Sequence, residues 1–174
     1  MDIEHLKYPI GKFVRPEVIS DQHLQQAIEY LNEYPDLLNR THQSFDSQYF
    51  NKKYRPGGWT VAQVIHHLAD SHMNALIRFK MALTENNPII KPYDEAQWAK
   101  LADYSLGTSI SVKMIEGIHK KWGEILKNMS FPDFEKCYFH PDLKQMVSLK
   151  EVCLLYEWHG KHHLAHLRLP QLYK

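Results

Sequence analysis

The chain has 174 residues, is 44% hydrophobic, and balances 21 basic against 20 acidic side chains for a formal net charge of +1. That composition fits one globular domain, 1–174, with a full core. It leaves no field strong enough to gather nucleic acid or an anionic membrane surface.

Residues 1–19 are broken by Pro9, Gly11 and Pro16, which predicts an extended, irregular segment packed on the remainder. The opening MDIEHLKYPIG carries acidic residues and lacks the apolar stretch of a secretory signal. No run approaches the length of a membrane span. The cytoplasm is the expected location. Ser20 offers an N-cap to a first helix, which Ala27, Ile28, Leu31, Leu37 and Leu38 carry to about residue 44. Pro35 should kink or split that helix after Tyr34.

The loop YRPGGW stops the chain at 54–59, and Thr60 with Gln63 forms a capping box that starts a second helix, running to about Leu83. Residues 84–107 contain Pro88, Pro92 and Gly107 and read as a long connection with a short helix over 94–102. Connections of that length in a small domain are often functional. A third helix follows from Ile110, Met114, Ile115, Ile118, Trp122, Ile125 and Met129, repeating every three or four residues. The segment FPDFEKCYFHPDLKQMV alternates weakly around His140, Pro141 and Asp142, which suits a short hairpin. Ser148 and Glu151 form a second capping box, and the last helix should span about 149–169 and end before Pro170. Four long helices with little strand define an all-α, four-helix bundle with long connections. The two cysteines, Cys137 and Cys153, have no zinc-type spacing and make no disulfide framework, so both should be reduced.

The chemistry lies in the histidines. Four fall within the run WHGKHHLAH: His159, His162, His163 and His166. His159 and His163 lie one turn apart on one helix face, the spacing at which two imidazoles reach one metal. A second run, VIHHLADSH, supplies His66, His67 and His72. On that helix His67, Ser71, Asn74 and Arg78 share a face, while Val64, Ile65, Leu68, Leu76 and Phe79 cover the other side. A polar stripe on a lone helix ordinarily faces water, and an isolated HxxxH is a weak signal. Two such clusters on two amphipathic helices carry more, because His67 could complete a site with His159 and His163. Asp70 could orient an imidazole through its second nitrogen. Arg78 could hold a substrate carboxylate. His5, His23, His42, His119 and His140 read as surface residues. Three histidines with an open fourth position mark a catalytic rather than a structural metal; a fourth ligand such as His166 would reverse that reading.

The segments YPIGKF, YRPGGWTVAQVIHHLADSHMNALIRFKMALTE, IKPYDEAQW and YEWHGKHHLAHL resemble the YfiT-like branch of the DinB superfamily, from about Tyr8 to Leu167. The resemblance implies a four-helix bundle and one divalent metal per chain, zinc or nickel. Its ligands would be the second histidine of HHLAD, His67, with His159 and His163. It also implies a homodimer. Members of this branch are described as candidate metal-dependent hydrolases of small molecules. Related superfamily members transfer or isomerise substrates with low-molecular-weight thiols such as mycothiol or bacillithiol. The expectation is therefore a metal-dependent hydrolase, with a bacillithiol-type S-transferase and a non-catalytic metal-binding protein as the alternatives. No catalytic base is assigned, although His162, His166 and Asp70 are candidates to move protons.

Overall fold

A computed structural model describes residues 3–172, framed by α1 (Asp21–Gln43), α2 (Val61–Thr84), α3 (Ser109–Asn128) and α4 (Leu149–Leu172). The starts of these helices follow the capping chemistry. Thr60 Oγ1 accepts from the Gln63 N–H at 3.1 Å, and the Gln63 side chain accepts from the Thr60 N–H at 3.0 Å. Ser20 caps α1 in the same way, with His23 as the reciprocal partner. At α4 the box is half used: Ser148 Oγ accepts from the Glu151 N–H, while the Glu151 carboxylate pairs with Arg15 at 3.3 Å.

Each helix packs on two others: α1 and α2 both lie against α3 and α4. Arg168 of α4 donates to Thr41 of α1, and Lys161 lies over the Tyr30 ring, so α1 and α4 run in the same direction. Contacts of His66 with Ser111 and of Phe79 with Trp122 make α2 and α3 parallel as well. Ser71 meets Tyr156 and His67 meets His163, so α2 and α4 are antiparallel. The order is therefore up-down-down-up. The α1–α2 and α3–α4 connections each cross a diagonal, which explains why neither is a short turn.

The second diagonal carries the hairpin, β1 (Cys137–His140) and β2 (Gln145–Ser148), paired antiparallel with Tyr138 opposite Val147. Lys144 takes a left-handed φ of 52° in its turn. The Phe139 backbone also bonds to Pro88 and Ile90, tying the hairpin to the connection between α2 and α3.

Trp122, Tyr34, Phe79, Ile65 and Leu68 are fully buried, and Phe79, Ile65 and Leu68 each contribute about 1.5–3 kcal/mol of hydrophobic stabilisation. The apolar residues form two clusters, one around Trp122 and Phe79 and one around Tyr34 and Leu68. Between them lies His72, ringed by Tyr34, Trp122 and Tyr156.

Several expectations are corrected. The N-terminal segment contains a single-turn helix, Glu4–Lys7, before its extended stretch; its first two residues lie outside the described ones. Pro35 does not split α1. It removes the N–H that would bond to the Leu31 carbonyl, and that carbonyl instead accepts from His119 Nδ1 at 2.7 Å. Pro170 does not end α4, which continues to Leu172 with the loss of one intrahelical donor. The helix expected over 94–102 is a single turn, Glu95–Trp98, capped by Asp94, followed by a 3₁₀ turn at Ala102–Ser105. Another single turn, Phe131–Phe134, precedes the hairpin. Both cysteines are free thiols, Cys153 buried within α4. Among the described residues no helix is long and apolar enough to cross a membrane.

Candidate metal centre

The capping box at Thr60 sets the phase of α2 so that His67, two turns in, faces α4. There His159 and His163 stand one turn apart. Ring centroids are 5.5 Å apart for His67 and His159, 5.0 Å for His67 and His163, and 4.5 Å for His159 and His163. One nitrogen from each of the three lies within 4.8 Å of the others. The preceding loop closes over them, with Gly57 at a φ of +67° and the Gly58 N–H bonded to the Arg55 carbonyl. That turn sets Trp59 against His67 and Tyr54 against His166.

Burial lowers the proton affinity of all three imidazoles. His67 falls to about 4, chiefly by loss of solvent and secondarily through His162. His159 and His163 lie well below the ordinary histidine range for the same leading reason, reinforced by neighbouring histidines. All three are neutral near pH 7, the form that binds a cation.

Hydrogen bonding selects the nitrogen at His163. His166 Nε2 lies 3.2 Å from the carbonyls of both Leu6 and Lys7. A carbonyl only accepts, so that nitrogen carries the proton of His166. Its Nδ1 then accepts from His163 Nδ1 at 3.3 Å, leaving Nε2 of His163 with a free lone pair. No hydrogen bond among the described residues claims either nitrogen of His67, and its buried Nδ1 has no partner. An unsatisfied buried polar atom costs about 1–3 kcal/mol, and coordination is one way to satisfy the ring. The donor set therefore suits a borderline divalent cation such as zinc or nickel. A second triplet, His162, His163 and His166, also brings three nitrogens within 4.8 Å. A cation there would have to displace a hydrogen bond of His166, both of whose nitrogens are engaged, whereas each imidazole of the first triplet keeps a nitrogen outside any hydrogen bond among the described residues.

Other residues singled out in the sequence are placed elsewhere. His66 bonds Ser111 and the Leu106 carbonyl. Asp70 does not orient a histidine of the triplet; its carboxylate accepts the Tyr104 hydroxyl at 2.7 Å. His23 serves the α1 cap, and His42 bonds Thr108. His119, read as surface, is 4% exposed. It follows Ile115 by four residues and precedes Trp122 by three, so it sits on the buried stripe of α3. Ile110 and Met114, counted into that stripe, are instead exposed.

The triplet opens into a cleft of about 460 Å³, lined also by Tyr54, Trp158 and Glu95. A second lobe of about 220 Å³ holds Arg78, Tyr93 and His140, and shares His159 and Glu95 with the first. Glu95 is the one carboxylate lining the first lobe among the described residues. Loss of solvent pushes its carboxyl up, with Arg78 opposing. A larger groove of about 830 Å³ between α1 and α3 shares no lining residue with the histidine cleft.

These features define a class: a helix bundle that gathers three neutral imidazoles at the head of a cleft. The chain belongs to the DinB superfamily, whose model matches residues 22–167. It is 47% identical over 161 residues to a candidate metal-dependent hydrolase of Oceanobacillus iheyensis, covering 92% of this chain and 93% of that one. A candidate metal-dependent hydrolase of Bacillus cereus is 43% identical over 162 residues, covering 93% of each. Among solved structures, YfiT from Bacillus subtilis, described as a probable metal-dependent hydrolase with an unusual four-helix bundle topology, superimposes with a TM-score of 0.91. The identity is 38%, over 98% of this chain and 99% of that one. A mycothiol-dependent maleylpyruvate isomerase shares the fold at a TM-score of 0.63 and 15% identity, covering 80% of this chain and 60% of that one.

Proposed function

We propose that this protein is a metal-dependent hydrolase of small molecules, with one zinc or nickel ion per chain held by His67, His159 and His163. The observation that carries this reading is the convergence of three neutral imidazoles beside an open cleft, with both nitrogens of His166 engaged elsewhere. A divalent ion bound by neutral imidazoles keeps its full charge and supplies Lewis-acid activation of water or substrate near neutral pH.

The chain's own residues supply the remainder. Glu95, common to both lobes and the one carboxylate lining the first among the described residues, accepts the proton of the incoming nucleophile. Arg78 in the second lobe meets an anionic group of the substrate and orients it toward the histidines. Trp59 and Trp158 wall the first lobe and exclude bulk water.

The test is turnover of model esters and amides by zinc- or nickel-loaded protein, with and without cysteine-like thiols. Metal-dependent, thiol-independent product is expected, with Glu95→Gln lowering kcat about 10²–10⁴-fold while retaining the metal. Product that appears only with thiol would replace this reading with S-transfer at the same centre. A metal-loaded protein inactive under all conditions would favour a binding role.

A further inference from the structure

We propose that His72 and His119 are positioning residues for this centre. A run of three imidazoles, anchored on a backbone carbonyl that Pro35 sets free, holds His159 with its unprotonated Nε2 available to the metal. The proposal rests on the reading of His159 as a ligand.

The anchor of the run lies in α1. The Leu31 carbonyl would ordinarily accept from the N–H of residue 35, and proline has none. Leu31 is 2% exposed, so water is a poor substitute. His119 Nδ1 lies 2.7 Å from that oxygen. Because a carbonyl can only accept, His119 carries its proton on Nδ1; the opposite tautomer would set two lone pairs against each other at that distance. A neutral imidazole has one proton, so His119 Nε2 accepts.

The partner of His119 Nε2 is His72 Nδ1, 2.7 Å away, which must therefore donate. His72 Nε2 in turn accepts, from His159 Nδ1 at 3.3 Å. Each ring passes its orientation to the next, and at the end His159 is left with a lone pair on Nε2. Neutrality is required throughout. Burial supplies it, holding His119 at about 4 and leaving His72 0% exposed among aromatic rings.

The surroundings remove competing partners. Tyr34 stacks on His72 at 5.1 Å and 11°, and Tyr156 and Trp122 meet it edge-on at 5.0 and 6.4 Å. Tyr34 and Trp122 also flank His119. The run thus crosses the bundle from α1 through α3 and α2 to α4 inside an aromatic sleeve. It gives His159 what the Leu6 and Lys7 carbonyls give His163 through His166. Such partners fix a ligand's tautomer and typically account for 10–100-fold in metal affinity.

Two measurements test the proposal. Long-range ¹H–¹⁵N spectra of the metal-free protein should show His72, His119 and His159 all protonated at Nδ1. In chelator competition with zinc, His119→Phe should bind about 10–100-fold more weakly. His119→Gln, whose amide oxygen can only accept from His72, should stay near wild type. An Nε2-protonated His159 in the wild-type spectrum would overturn the proposal, as would wild-type zinc affinity in a folded His119→Phe. If that variant does not fold, the wild-type spectrum alone decides. Failure of the wild type to bind zinc would instead overturn the ligand reading, since the tautomers are measured without metal.

Discussion

Gly160 lies between His159 and His163, where α4 passes close to Tyr30 and Tyr34 of α1. A Cβ at this position would stand 2.8 Å from Tyr34 Cε2 and 3.0 Å from both Tyr34 Cδ2 and Tyr30 Cε1. These separations fall well short of ordinary carbon contact. Tyr34 cannot swing aside, because it is fully buried and stacked on His72. Overpacking of this kind costs about 1–3 kcal/mol. Alanine regains about 1 kcal/mol of helix propensity over glycine, so Gly160→Ala should be destabilised by about 1 kcal/mol net. Gly117 of α3 provides the comparison, since nothing lies within 4 Å of the Cβ it would acquire. Gly117→Ala should gain most of the propensity term, and the difference between the two variants isolates the packing cost at about 1–3 kcal/mol. Urea unfolding of the metal-free variants measures it, with a corresponding separation in Tm of roughly 2–4 °C per kcal/mol for a domain of this size. Equal stability of Gly160→Ala and Gly117→Ala would show that α1 and α4 are not in contact at Tyr34, and would refute the helix arrangement that supports the histidines.

Two further outcomes follow from the same geometry. The buried histidines have folded-state proton affinities below those of the unfolded chain, so the unfolded state takes up protons first on acidification. For His119 the contribution is complete above about pH 6.5, declines as the pH falls toward 4, and levels off below that, amounting to about 3 kcal/mol over this window. His67 is lowered in the same direction, and unfolding of the metal-free protein at about pH 8 and about pH 5 reads the sum. Equal or greater stability at the lower pH would contradict the assigned burial. His163→Ala should lose metal yet keep its helical circular dichroism, because the apolar clusters around Trp122 and Leu68 do not depend on that ring. Collapse of the helical signal would make the centre structural.

Much of the bundle was legible in local chemistry. The box at Thr60 and Gln63 marked the start of α2 to the residue, and the period of α3 and the hairpin turn were visible as patterns. The expected split of α1 at Pro35 failed because its resolution is tertiary. Pro35 is tolerated inside α1 since His119, 84 positions away in sequence from Pro35, satisfies the carbonyl it orphans. The same contact hid His119, whose polar identity suggested water while its place between Ile115 and Trp122 put it in the core. Glu151 fitted a capping box but found Arg15, and Asp70 was spaced to serve an imidazole but found Tyr104. The convergence of His67 with His159 and His163 was legible because each sits on a helix whose phase the apolar pattern determines. The tautomers were not, because they depend on the carbonyls of Leu6, Lys7 and Leu31.

The most direct test is metal stoichiometry in wild type and His67→Ala, purified identically and loaded with zinc or nickel. The geometry predicts one tightly held equivalent per chain in the wild type and its loss in the variant, with both proteins folded. Equal metal in the two would mean that His67 is not a ligand and that the centre lies elsewhere among the histidines.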